Sequence, residues 1–233
     1  MSEPQVASYL HMDIRELEKL SARGQIPCRK VKDRFVYRKG EIDHWIEVRM
    51  HDLDRERLRG IEKGVSRHHG MPENEMMIWP LVPLNGVVYP LKATSRDSVI
   101  RNLVKVADDA GLVYAKDELL TEIKSREDLC TTALIPGVAL PHPRHPLPYD
   151  IAQSFIIVGL TASGVPYGAK DGSQTRLFFL ICCKDDRTHL HVLSRIGGML
   201  HDPSAIEALL TAQSSLELGQ KLEELERKAI EAG

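Results

Sequence analysis

Several things are missing from this 233-residue chain, and each absence narrows what it can be. No CxxC pair exists among its four cysteines, Cys28, Cys130, Cys182 and Cys183. A structural zinc or a disulfide framework is therefore not expected. Cys182 and Cys183 lie inside an apolar run, where cysteine acts as a small hydrophobe. The longest uninterrupted apolar run in the C-terminal half is LFFLICC, too short to cross a bilayer. The opening MSEPQVASYLHMD has no basic segment followed by an apolar one, so no secretory leader is read there. These features predict a soluble, cytoplasmic protein without a membrane span. No internal repeat or low-complexity tract is visible. Apolar residues make up 42% and charged residues 27%, which supports a real core and excludes global disorder.

What is present divides in two. Residues 1–70 carry 15 Lys+Arg against 12 Asp+Glu, while the rest carries 16 against 21. Arg23–Lys39 alone holds seven basic residues and one acid, the footprint of a polyanion-binding patch. Residues 64–77 (GVSRHHGMPENEMM) are polar, contain Gly and Pro and lack periodicity, as a linker does. The expected division is residues 1–63, a linker at 64–77, and 78–233.

The first piece reads as two short helices. Ser2 precedes Pro4, with Val6, Ala7 and Leu10 at helical spacing. Asp13 and Glu16 then form a capping-box-like start, and Gly24 and Pro27 stop the second helix. A small hairpin follows, turning at Lys32-Asp33, and a helix resumes with Ile42, Trp45 and Ile46 facing in. The segment VASYLHMDIRELEKLSARGQIPCRKVKDRFVYRKGEIDHWI resembles an excisionase/MerR-like winged helix-turn-helix. The resemblance implies DNA binding. Arg15, Lys19 and Arg23 would lie along the second helix, and Lys30, Lys32, Arg34 and Arg38 on the wing. Such a spread would neutralise several phosphates and bind in a salt-dependent way. The plainer alternative is a set of solvated charges on a small adaptor domain. Glu41–Lys63, with alternating charges, is a candidate contact for a homodimer.

From Trp79 the pattern alternates helices and strands, which predicts an α/β (α+β) layer with a mixed β-sheet flanked by helices. Helices are expected over TSRDSVIRNLVKVADDAGLV, KDELLTEIKSREDL (capped by Asp117), THLHVLSRIGGMLHD (capped by Thr188), PSAIEALLTA and SLELGQKLEELERKAIEA. Strands are expected over GVALPH, IAQSFIIVGL and RLFFLICC. IPGVALPHPRHPLP sets His142 and His145 among prolines directly after an apolar run. Proline keeps this backbone out of a helix interior, so the imidazoles sit on a rigid loop.

SREDLCTTALIPGVALPH resembles the signature of enzyme IIA of the bacterial phosphoenolpyruvate-dependent phosphotransferase system, of the mannitol/fructose/nitrogen-regulatory type. The matching pieces are Arg126-Glu127, Thr132 and Gly137-Val138-Ala139-Leu140-Pro141-His142, with AKDG (169–172) and HLHVL (189–193) downstream. The resemblance implies a phosphoryl-carrier component with no cofactor. His142 would accept the group through Nε2 from the histidine of an HPr-like phosphocarrier. His189 would be the second histidine of the site, and Arg126 would help hold the phosphoryl group. Neutral imidazole is nucleophilic near pH 7, and a guanidinium and an imidazole N–H suit the charge spread over a phosphoryl group in flight. Where the family has a glycine after Pro-His, this chain has Pro143, which lacks an N–H and is followed by Arg144.

Together the two resemblances imply a regulatory phosphoryl carrier coupled to DNA binding. The alternative is an IIA-like module that binds DNA or protein without being phosphorylated. A plain sugar-transport phosphocarrier is a further reading. Zinc on His142, His145 and His189 is a minor one. His142 as a structural loop histidine and Arg126 as a helix-end cation are the bland readings. His191 is expected to face solvent or a partner, and Asp171 to serve a turn.

Overall fold

A computed structural model describes residues 1–10, 12–49, 57–58, 60 and 77–231. The expected linker, except Met77, and most of 50–63 lie outside the described residues. The chain groups into two compact units, Met1–Met76 with Leu190–Gly198, and Met77–His189 with Met199–Gly233.

The N-terminal residues form helices α1 (Glu3–Tyr9) and α2 (Ile14–Ala22), strands β1 (Arg29–Val31) and β2 (Arg34–Val36), and helix α3 (Lys39–Arg49). Asp13 caps α2 by accepting from the Arg15 N–H. Glu16 does not complete a capping box; its side chain pairs with Arg57 at 2.5 Å. Gly24, at φ 65°, ends the helix in a conformation that costs glycine little. β1 and β2 pair antiparallel with Val31 opposite Arg34, leaving Lys32-Asp33 as the two-residue turn. Inside, Leu17, Tyr37, Ile42 and Ile46 are buried, and the Tyr37 hydroxyl lies 2.7 Å from Ser21 Oγ. Trp45 is half-buried and donates its indole N–H to the Gln25 carbonyl at 2.7 Å.

After a 3-10 turn (Trp79–Leu81), the second unit builds a mixed four-stranded sheet in the order β3-β5-β6-β4. Its strands are β3 (Val87–Val88), β4 (Val138–Ala139), β5 (Phe155–Val165) and β6 (Thr175–Cys182). β5 and β6 pair antiparallel at the centre; β3 runs parallel to β5 and β4 parallel to β6. Phe155–Leu160 and Leu177–Cys182 are buried without alternation. That is how strands covered on both faces read. β5 starts later than the expected strand, at Phe155, and continues past a register break after Leu160.

Helices α4 (Arg96–Asp109) and α5 (Lys116–Leu129) follow β3. Ser95 caps α4, and Val99, Ile100, Leu103, Val104 and Ala107 form its buried face. α5 begins one residue before its expected cap, so Asp117 sits in the first turn, where its charge favours the helix dipole. α6 (Asp186–Met199) is capped by Asp185 rather than Thr188. Asp185 accepts from the backbone N–H groups of Arg187 and Thr188 and from the Thr188 hydroxyl. α7 (Pro203–Leu210) and α8 (Ser215–Glu231) complete the chain. Glu226 of α8, 1% exposed, accepts from the backbone N–H groups of Ile78 and Trp79 at 2.6 and 2.9 Å.

Candidate functional site

The short strand β4 delivers His142. Val138 and Ala139 are buried against β6, and Gly137, at φ 76°, makes the turn into the strand. The Ile181 N–H donates to the Pro141 carbonyl at 3.0 Å, which fastens the strand's exit to β6. His142 follows at once, 2% exposed. Its Nδ1 lies 2.7 Å from the Leu140 carbonyl oxygen. A carbonyl only accepts, so Nδ1 carries the proton, and in neutral imidazole the lone pair is then on Nε2.

α6 brings the second histidine. His189 sits in its first turn, half-buried, and the two imidazole centroids are 5.0 Å apart with the rings inclined at 56°. The first turn of a helix carries the positive dipole end, but the Arg187 and Thr188 N–H groups here are already taken by the Asp185 carboxylate.

Arg126 and Glu127 occupy the last turn of α5, each 2% exposed. Arg126 donates to the Cys130 carbonyl at 2.8 Å, closing the helix end. Glu127 accepts from the Thr132 N–H at 3.0 Å, from the Thr132 hydroxyl and from the Tyr167 hydroxyl at 3.1 Å. Burial, reinforced by the Glu127 charge, holds the Tyr167 phenol well above its usual pKa. Glu127 and Thr132 stood in the sequence only as motif letters. Tyr167 carried no sequence signal, because it reaches Glu127 from 40 residues away.

The structure thus brings His142 and His189 together. Pro143 is buried, whereas Arg144 and His145 are exposed. His191, expected to face solvent or a partner, is 3% exposed and so does not face solvent. Spacing by two residues set it on a different face from His189 but could not say that this face is covered. Asp171 serves a turn, accepting from the Ser173 N–H at 2.9 Å. Among the described residues no group of three or more His, Cys, Asp or Glu side chains is placed to hold a metal ion, so the zinc reading gains no support. No described helix is long and apolar enough to cross a membrane. All seven basic residues singled out in the N-terminal piece, Arg15, Lys19, Arg23, Lys30, Lys32, Arg34 and Arg38, are exposed.

Comparison with known proteins bears on the second unit. The PTS system fructose-specific EIIABC component of Bacillus subtilis (strain 168) is 28% identical over 141 residues, 60% of this chain. This chain spans only 22% of that larger protein's length. The mannitol-specific phosphotransferase enzyme IIA component of Staphylococcus aureus (strain Mu50) is 27% identical over 135 residues, covering 58% of this chain and 89% of the relative. Among solved structures, the nitrogen regulatory protein IIA-Ntr of Neisseria meningitidis is 26% identical. It superposes with a TM-score of 0.55 over 62% of this chain and 98% of its own. The IIA mannitol structure of Escherichia coli, 22% identical with a TM-score of 0.53, shares the fold over 60% of this chain and 97% of its own. The family model described as phosphoenolpyruvate-dependent sugar phosphotransferase system, EIIA 2, matches residues 81–224, and the chain belongs to that family.

Proposed function

We propose that His142 is the phosphoryl acceptor of this EIIA-type carrier domain and that the N-terminal residues couple its state to DNA. The observation that supports the acceptor is the 2.7 Å approach of His142 Nδ1 to the Leu140 carbonyl, which leaves the nucleophilic lone pair on Nε2. The donor is the phosphohistidine of an HPr-like carrier. Its N–P bond breaks as a new N–P bond forms to His142 Nε2, while the Nδ1 proton stays on the hydrogen bond to Leu140. His189, in the first turn of α6, donates to the equatorial oxygens during transfer. With only 2% of His142 exposed, a local displacement precedes delivery of the group.

The N-terminal residues support the second half of the reading by their order, two helices then a hairpin then a helix, and by their seven exposed cations. A winged helix-turn-helix with those charges binds duplex DNA through phosphates, the hairpin acting as wing. Phosphorylation adds a charge near −2 to the chain and alters what these residues hold.

Acid-labile labelling with phosphoenolpyruvate, enzyme I and an HPr-type carrier tests the acceptor, with His142→Ala as control. Label on the wild type and none on the variant is expected. A second reading, an IIA-like module that binds without turnover, is favoured by the burial of His142 and by Pro143, which offers no N–H to a phosphoryl oxygen. No label from several donors, with the fold intact, would select it.

A further inference from the structure

The hydrogen bonds around the α5 end form a continuous line to the proposed acceptor. Glu127 holds Thr132 by two bonds, one to its N–H and one to its hydroxyl. The Thr132 carbonyl accepts from the Leu140 N–H at 3.4 Å. The Leu140 carbonyl faces His142 Nδ1 at 2.7 Å. Residues 132–140 are therefore a loop closed at its neck, and the carbonyl that orients the imidazole belongs to the neck. On its other side Glu127 is held by Tyr167, 1% exposed and packed 5.3 Å from the Phe178 ring of β6. Glu127, Thr132 and Tyr167 are all buried, so no water competes for these bonds.

We infer that Glu127 is the positioning residue for His142: through Thr132 it holds the Leu140 carbonyl where it selects the Nδ1–H tautomer and aims Nε2. Tyr167 is the brace that holds Glu127. None of the three touches the reacting atoms. A buried acceptor with three donors keeps a single arrangement, because losing one bond leaves a polar group unpaired in the core. This inference rests on the proposed role of His142. Its structural half, the choice of tautomer, is measurable whether or not the group is ever transferred.

Two variants break the line. Thr132→Val keeps the shape and removes the hydroxyl arm, and Glu127→Leu removes every acceptor. Two others should preserve it. Thr132→Ser retains the hydroxyl, and Glu127→Gln can accept from the Thr132 N–H while its amide donates to the two hydroxyls. Nitrogen-15 NMR of the His142 ring reports the tautomer directly, and single-turnover transfer from a phosphorylated HPr-type donor reports the chemistry. The wild type, Thr132→Ser and Glu127→Gln should show one neutral tautomer, protonated at Nδ1. Thr132→Val should show a mixture, with a transfer rate about tenfold lower at saturating donor and an unchanged KM. Glu127→Leu should do the same if it folds, and Thr132→Val carries the test if it does not. Folded Thr132→Val with the wild-type tautomer and rate overturns the proposal. If the wild type takes no label, the acceptor reading falls, while the ring spectra still decide the positioning role.

Discussion

The rings of His142 and His189 stand 5.0 Å apart and are inclined at 56°, although one follows a two-residue strand and the other lies in the first turn of a helix 47 positions further on. Neither element alone could make the pair. β4 runs parallel to β6, and β6 ends at Cys182, four residues before α6 begins at Asp186, so the C-terminal ends of these two neighbouring strands deliver both histidines to the same end of the sheet.

That pairing predicts a kinetic role for His189 distinct from that of His142. His189→Ala should still accept label on His142 but transfer about a hundredfold more slowly, the usual effect of removing one donor to a developing anion. His189→Gln, which keeps an N–H donor, should recover part of the rate. Rapid-quench measurement at saturating donor decides it. A wild-type rate in His189→Ala would remove this residue from the site.

Glu226 predicts a stability effect far from the histidines in sequence. Its carboxylate, 1% exposed, holds the backbone N–H groups of Ile78 and Trp79 at the start of the second unit. Glu226→Ala leaves both donors without that acceptor and should cost about 2–4 kcal/mol, since bonds to charged groups are the strong ones. Urea unfolding gives the total. Hydrogen exchange should show Ile78 and Trp79 opening first, with β5 and β6 still protected. Unchanged protection at these two amides would refute the anchoring role.

Much of this arrangement is legible in the sequence. α4 announces itself through Ser95 and the helical spacing of Val99, Ile100, Leu103 and Val104, all of which are buried. β5 and β6 appear as unbroken apolar runs because both faces of the sheet are covered. β3 escapes such a reading because Val87–Val88 is too short to show a period. The cap of α6 lies three residues before its expected place, since Asp185 and Thr188 are both good cap residues and only the hydrogen bonds separate them. Within the site, the motif points to His142, and the His142 and His189 ring centroids lie 5.0 Å apart. Tyr167 cannot be found this way, because its partnership with Glu127 is made by tertiary packing and leaves no local pattern.

The exposed cations of the N-terminal residues predict a salt dependence. If Lys30, Lys32 and Arg34 pair with phosphates, replacing all three by alanine should flatten the slope of log K against log salt by about 0.9 for each phosphate no longer neutralised. Affinity should fall similarly for unrelated duplexes, because phosphate pairing carries no sequence information. Titration of fluorescent duplex DNA from low salt upward measures both. A slope equal to that of the wild type would show that the hairpin is not a wing on DNA.

The buried acids predict how the fold fails in alkali. Burial raises the thiols of Cys182 and Cys183 well above the usual cysteine range, and Tyr167 well above the usual tyrosine range. For each group the native state keeps its proton at a pH where the unfolded chain has lost it. The unfolded state then binds fewer protons, so stability falls as pH rises. Below about pH 8.5 all three contributions are intact. From there the thiols remove up to about 1.4 kcal/mol per pH unit each, and above about pH 10 Tyr167 adds the same slope. Unfolding free energies at pH 7.5, 9.5 and 10.5 should therefore decline with a steepening slope. Tyr167→Phe, although less stable at pH 7.5 through loss of its bond to Glu127, should decline less steeply between the last two points. An equal decline in both proteins would mean that the Tyr167 phenol ionises in the native state no later than in the unfolded chain.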